Sequence, residues 1–399
     1  MRTSRSNPTR SRARSHTSIA LTVVGALALG VATSALPAGA GPPTSTTRRV
    51  DLEPPTFSNP TDITNPLFPI ASVDQVIQLG AEGDVALRHE ITLLDETRVI
   101  EWDGQAIEAV VSQFVAYGDG EILETATDYF AQADDGSVWY LGEDVTNYDN
   151  GQVENHDGTW LAGRDGPGGM IMPADPQVGD VYRPENIPGF VFEEVTVKQV
   201  GLTVDGPTGP VEGAIHVQES LMDGTLEDKV FAPGYGEFSA SVPTSDELVF
   251  VAVAVPTDEI DGRVPAALDR LSETAEKLFE DGADQRWSRL ELLAGEARRA
   301  FAEVSAGDVP PLLDDQAADV LGDLNAAVGA RSRADVRQAA LELELATLDL
   351  EMQYTDPDDV DEDRIEVWQL QQTLHRAAGD AAAASSDRVI IRAITDRLG

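Results

Sequence analysis

Between about residue 65 and residue 257, apolar and polar residues alternate in short runs rich in Val, Ile, Thr and aromatics. Alternation with a period of two marks a strand with one buried face. Turn pairs separate the runs: Asp103-Gly104, Asp119-Gly120, Asp135-Gly136, Asn150-Gly151, Asp205-Gly206 and Asp223-Gly224. Such pairs reach the positive φ angles that tight hairpins need. Their recurrence predicts an antiparallel meander, sandwich or half-open barrel rather than βαβ units. One long irregular insert, about 144–178, is expected to be functional or packed over something.

From about residue 262 the period changes. Val264, Leu268, Leu271, Ala275 and Leu278 follow helical spacing, as do Trp287, Leu290, Ala294, Ala297, Phe301 and Val304. Val336, Ala340, Leu343, Thr347 and Leu350 repeat it. Each set lines one face of a helix, and several such helices with short breaks predict a bundle. The expected fold class is therefore α+β and multidomain. An antiparallel β domain over 65–257 (a curved sheet, half-barrel or sandwich) precedes an acidic α-helical bundle over 258–399.

The first 40 residues carry five arginines and no acid, then an apolar run over about 19–36 and Ala38-Gly39-Ala40. These are the parts of a secretory signal peptide, with cleavage expected after Ala40. An uncleaved membrane anchor is the weaker alternative, because Gly25, Gly30, Thr22, Thr33 and Ser34 dilute the apolar run. The arginines are never adjacent, so a twin-arginine exporter is not indicated. Residues 41–64, with Pro42-Pro43, Pro54-Pro55 and Asn59-Pro60, read as a disordered linker.

Charge narrows the partners. The chain has 399 residues, 70 acids against 28 basic side chains, and a net charge of −42. Losing the five N-terminal arginines takes this to −47. Such a surface repels phosphate backbones, so no nucleic-acid partner is expected, and anionic membranes are disfavoured. A cationic or small-molecule partner is favoured. Three lysines against 25 arginines suit a GC-rich genome, and the acidity equally suits a saline habitat. With no cysteine there is no disulfide, thiol nucleophile, zinc-thiolate site or lipid anchor. Residues 41–257 carry a net −30 and 258–399 a net −17, which favours the β domain for a cation site.

The segment 124–143 holds the most chemistry. On a strand, Ile122, Glu124, Ala126, Asp128, Phe130 and Gln132 share one face. A two-residue turn at Asp135-Gly136 would set Gln132 opposite Trp139, Phe130 opposite Leu141 and Asp128 opposite Glu143. Glu124, Asp128 and Glu143 would then converge beside Trp139. Three readings stand open: a solvated acidic face, a hard-cation site for an ion such as calcium, or a general acid/base pair. No cofactor is required by any other motif. The stretch Gly163-Arg164-Asp165-Gly166-Pro167-Gly168-Gly169 lacks the Lys-Ser/Thr ending of a phosphate loop and reads as a lid or packed loop. The run 356–363 fails the EF-hand pattern and reads as a helix start, with Asp356 capping and Pro357 at the first position. His89, His156, His216 and His375 show no metal-ligand spacing, and no Gly-x-Ser-x-Gly elbow is present.

Thr127-Asp128-Tyr129-Phe130-Ala131-Gln132 and Gly136-Ser137-Val138-Trp139-Tyr140-Leu141-Gly142-Glu143 carry a resemblance. With Gly158-Thr159-Trp160-Leu161-Ala162-Gly163 and Gly179-Asp180-Val181-Tyr182-Arg183, they resemble a family of uncharacterised secreted bacterial proteins. This chain departs from that pattern at Ala133, Ser137, Thr159 and Pro184. The resemblance covers about 60 residues closely and implies an extracytoplasmic β domain without an assigned activity. It also implies that Asp128, Gln132, Trp139, Glu143 and Trp160 belong together. The function expected is that of a secreted, non-catalytic ligand-binding module. The ligand, a cation, glycan or other small molecule, would sit near Glu124, Asp128, Gln132, Trp139, Glu143 and Trp160 under the 144–178 insert. A carboxylate-dependent hydrolase, a lipid-carrier-like protein and a structural surface protein are the alternatives.

Overall fold

The computed structural model describes residues 47–399 except Pro243. The expected signal peptide and the first part of the expected linker lie outside the described residues. In chain order the first strands are β1 (Arg48–Arg49), β2 (Gln75–Glu82), β3 (Val85–Trp102), β4 (Gln105–Gly118), β5 (Glu121–Gln132) and β6 (Val138–Asp149). Short strands follow: β7 (Gln152–Asn155), β8 (Trp160–Leu161), β9 (Gly169–Met172), β10 (Asp180–Tyr182) and β11 (Asn186–Ile187). The last are β12 (Val191–Gly206), β13 (Gly209–Leu221), β14 (Leu226–Ala232), β15 (Gly236–Ser241) and β16 (Glu247–Val255). Six helices complete the described chain: α1 (Ala266–Ala283), α2 (Trp287–Val304), α3 (Pro311–Ala330), α4 (Arg333–Glu351), α5 (Pro357–Ala378) and α6 (Ala381–Arg397).

The strands form one open sheet in the order β1-β10-β12-β13-β14-β15-β16-β2-β3-β4-β5-β6-β7. Among the described pairs only β1 with β10 is parallel. Asp103-Gly104, Asp119-Gly120 and Asn150-Gly151 take positive φ at both positions and make the expected two-residue hairpins. The sheet curls: strands from both halves of the order face one cavity, and Gly169 of β9 comes against the carbonyl of Pro184 beyond β10.

The inner face of the sheet lines that cavity, and the outer face of β16 and β2–β5 carries the helices. Ile77, Ala252, Val253 and Val255 share a core with Leu268, Leu271, Leu321 and Leu343. Val115, Tyr117 and Ile122 share another with Ile390 and Ile394. Between these apolar patches lies a largely buried ionic layer, in which Arg88 alone keeps partial exposure. Arg364 donates to Asp349 (2.7 Å), Asp361 (2.9 Å) and Gln75 (2.8 Å). Arg397 grips Asp361 with two bonds of 2.6 Å and reaches Glu90 at 2.8 Å. Arg88 forks onto Asp349 at 2.6 and 2.9 Å and meets Glu90 at 2.7 Å. Three guanidinium groups thus balance three carboxylates, which compensates the desolvation of each. Arg88 and Arg397 hold Glu90 far below the usual carboxylate range although burial opposes this.

Two expectations need correction. The part of the 41–64 segment that is described, from residue 47, is a strap rather than a linker. Thr56 Oγ1 and the Ser58 amide donate to Asp134, and the Thr64 and Asn65 amides donate to Gln132 Oε1. Asn65 Nδ2 donates to the carbonyls of Gly136 and Pro173. Proline and the lack of periodicity hid a segment held by backbone hydrogen bonds. The acids of 356–363 start α5 as expected, with Asp356 accepting from the Asp358 amide. Asp361, however, is 1% exposed and belongs to the ionic layer.

Replacing Arg397 by Met leaves Glu90 and Asp361 buried with one partner fewer. Arg397→Met is expected to lower the unfolding free energy by about 3–5 kcal/mol in urea denaturation, the usual result of breaking a buried ion pair.

Candidate functional site

The curled sheet and the strap enclose a cavity of ≈ 630 Å³, within the range of small-molecule sites. Phe68, Pro69, Ile70 and Val73, which continue the strap up to β2, line it, as do Phe130, Tyr140, Val195, Val217 and Phe231 of the sheet. Phe68 meets Phe130 edge-on at 4.9 Å, and Phe130 stacks on Tyr140 at 4.9 Å. Against this apolar wall stand, among the described residues, eleven Asp or Glu side chains and a single Lys or Arg, Lys229.

One acidic group comes from the β5–β6 hairpin and the turn into β11. Asp128 is paired with Glu143 across the strands, as the turn argument expected. The turn itself is different. Ala133 and Ser137 close a three-residue loop with Gly136 at φ 92°, so Gln132 pairs with Val138 and Trp139 with Ala131. The register is restored by a bulge on β6 at Gly142, φ 129°, where a Cβ would lie 2.4 Å from the Trp160 carbonyl. The bulge turns both Tyr140 and Glu143 into the cavity. Tyr140 Oη donates to Asp128 Oδ1 at 2.6 Å. A second bulge, at Leu123, sends Ile122 to the helices while Glu124 stays inside. A one-residue error in loop length and two bulges are invisible to period-two counting.

The six expected site residues therefore separate. Glu124, Asp128 and Glu143 line the cavity; Gln132, Trp139 and Trp160 do not. Gln132 fastens the strap. Trp139 lies on the other face of the sheet, where its ring meets Trp102 at 5.6 Å and its Nε1 donates to Ser137 Oγ. Trp160 stands behind the wall, edge-on to Tyr140, and donates to Glu185 Oε1 at 2.9 Å. The insert 144–178 is not a lid as a whole. Its start extends β6 and forms β7, while β8 and β9 fold back onto β6. Gly168 comes against Trp102 and Leu141 there. Among the described residues, no group of three or more His, Asp or Glu side chains has metal-holding geometry.

Sequence reasoning missed Glu185 and the opposite wall. Glu185 lies beside Glu143 in the cavity lining, and its charge adds to burial in pushing the Glu143 carboxyl group up. On β13–β15, Lys229 Nζ sits 2.9 Å from Glu219, 3.5 Å from Glu227 and 3.3 Å from Glu237. Glu219 and Glu227 are directly opposite across the strands, a repulsive pair that Lys229 relieves. The available signal was a lysine, one of three in the chain, set on a strand between acids at Glu219, Glu227 and Glu237. His89, buried against Gln78 at 3.3 Å, is pushed down to about 4 by desolvation and by Lys229, so it is neutral near pH 7.

Burial raises the carboxyl groups of the first wall. Glu124 is pushed up to about 7 by desolvation and then by Asp128. Asp128 is pushed up to about 6 by desolvation, against the Tyr140 hydrogen bond. Glu185 rises to about 7 by desolvation, and Glu143 rises further under desolvation and the charges of Glu185 and Asp128. Such a wall can hold protons, exchange them near neutrality, or accept a cation in their place.

Compared with known proteins, the chain matches no family model, no curated protein and no solved structure.

These shifts have a sign. A carboxyl group whose folded pKa is raised ionises in the unfolded chain first, so its burial destabilises the fold as pH rises from about 4 through 7. Glu90 and Asp349, held low by arginine, act oppositely and lose their stabilisation in acid. The empty protein is expected to melt highest between about pH 4.5 and 6. Asp128→Asn retains the acceptor for Tyr140. It is expected to raise the melting temperature at pH 8 by about 2 °C or more, for about 1 kcal/mol relieved, with a smaller rise at pH 5, where only part of the penalty is present. Calorimetry at the two pH values checks this.

Proposed function

We propose that this protein is an extracytoplasmic ligand-binding module that holds a small molecule inside a half-barrel of antiparallel strands. The six helices form a bundle that buttresses the outer face. The observation that carries the reading is the ≈ 630 Å³ cavity, in which an aromatic wall meets an excess of carboxyl groups. The basic, then apolar, then small-residue N-terminal pattern supports export. Among the described residues no helix is long and apolar enough to cross a membrane. The resemblance to secreted bacterial proteins belongs to the same proposal.

A second reading, a carboxylate-dependent hydrolase, is favoured by one observation: Glu143 and Glu185 stand together in the cavity lining with Asp128 beside them, the paired carboxyl groups that acid–base chemistry needs. Replacing Asp128 and Glu143 separately discriminates. Lost affinity without turnover of any substrate fits binding, and lost turnover with retained affinity fits catalysis.

Native mass spectrometry of the exported protein, purified without chelator, tests the proposal. The expected result is a mass excess that survives EDTA and disappears on denaturation. A bare mass, together with no thermal shift from any member of a small-molecule panel, would contradict it.

A further inference from the structure

The cavity already shows how it treats one ammonium group. Lys229 Nζ is drawn in among Glu219, Glu227 and Glu237, and these charges hold it protonated despite burial. The opposite wall has the same kind of carboxyl cluster and no such cation. Glu124, Asp128, Glu143 and Glu185 face the cavity, whose one Lys or Arg among the described residues is Lys229 on the far side. An unfilled cluster of acids is not by itself a site. Here a separate feature points to a ligand: Ser112, 0% exposed, is the cross-strand partner of Asp128 on β4 and lines the cavity, and its Oγ has no hydrogen-bond partner among the described residues. A buried hydroxyl left unsatisfied costs on the order of 1–3 kcal/mol, and a ligand N–H group beside Asp128 would satisfy it.

The rest of the wall defines the remainder of the ligand. Phe68, Phe130 and Phe231 give an apolar surface that a bare metal ion does not need. Phe190 and Met222, 48% and 54% exposed, also line the cavity and offer apolar contact where it meets solvent.

Resting on the reading of the cavity as a ligand site, we propose that its occupant is an organic cation: a protonated amine, seated by its N–H groups on Asp128, Glu143 and Ser112, carrying an apolar chain or ring along the phenylalanine wall. The carboxyl groups supply charge-assisted acceptors in a desolvated setting, where such bonds are strongest. The aromatic faces add cation–π and apolar contact. A neutral molecule of the same shape leaves the acids unpaired, and an anion meets direct repulsion.

Isothermal titration calorimetry with matched probes tests this at pH 7.5. The probes are decylamine, decanol and decanoate, then 2-phenylethylamine and 2-phenylethanol, and calcium chloride alone. At least one amine is expected to bind ten times more tightly than its alcohol, with no heat from decanoate. Asp128→Asn is expected to weaken that amine at least tenfold and to leave the alcohol within about twofold, so the alcohol reports that the variant is folded. Ser112→Ala is expected to weaken the amine by about threefold or more. Equal affinity for amine and alcohol would overturn the cation proposal and leave the ligand-binding reading standing as an apolar carrier. Calcium binding with no amine binding would overturn it in favour of a metal site. Silence from every probe, in a wild-type protein with a cooperative melt, would contradict both this proposal and the ligand-binding reading.

Discussion

Everything inside the curled sheet depends on a charge layer outside it. Arg88, Arg364 and Arg397 meet Glu90, Asp349 and Asp361 between the sheet and helices α4, α5 and α6. On β3, Arg88 and Glu90 point to that layer while His89 and Ile91, between and after them, point into the cavity. A slip of one residue would exchange the two sets, placing Glu90 inside and His89 against the arginines. Hydrophobic packing alone tolerates approximate fits, whereas a buried carboxylate without its guanidinium costs several kcal/mol. The layer therefore fixes the strand register and, with it, which side chains the cavity receives.

The two faces of the sheet follow opposite electrostatic rules. Outside, each buried charge has a partner, so the layer is balanced and rigid. Inside, four carboxyl groups of one wall have no ion pair to a Lys or Arg among the described residues; Asp128 accepts from Tyr140 and Glu185 from Trp160. The balanced side supplies the stability that lets the unbalanced side persist. Functional sites commonly carry this kind of local deficit, supported by structure elsewhere. The strap completes the arrangement, since it closes one end of the curl with apolar residues and is itself pinned by Gln132 and Asp134.

Much of this was legible in the residue pattern. Period-two alternation with Asp-Gly and Asn-Gly pairs predicted the antiparallel strands, and the change of period predicted where the helices begin. Glu124, Asp128 and Glu143 were singled out from a hairpin argument and do face one cavity. Trp139 was placed on the wrong face because the turn has three residues rather than two. Gln132 and Trp160 support the site from outside the cavity. Glu185, Ser112 and Lys229 escaped notice because they come from separate strands and turns that only the curl brings together. Asp361 was absorbed into a helix-start pattern that was correct for its neighbours and incomplete for itself. Local pattern reports periodicity and turns, while pairing across 286 residues, as between Gln75 and Asp361, leaves no local trace.

The central claim is that one wall of the cavity keeps its carboxyl groups desolvated and short of positive charge. A pH titration followed by the side-chain carboxyl resonances of carbon-13-labelled Asp and Glu reads this directly. A small set of carboxyl groups is expected to titrate between about pH 6 and 7, with the Asp128 and Glu124 signals assigned by their loss in Asp128→Asn and Glu124→Gln. If both of those groups titrate below about pH 5, as exposed carboxylates do, the wall is solvated and the account of the site is wrong.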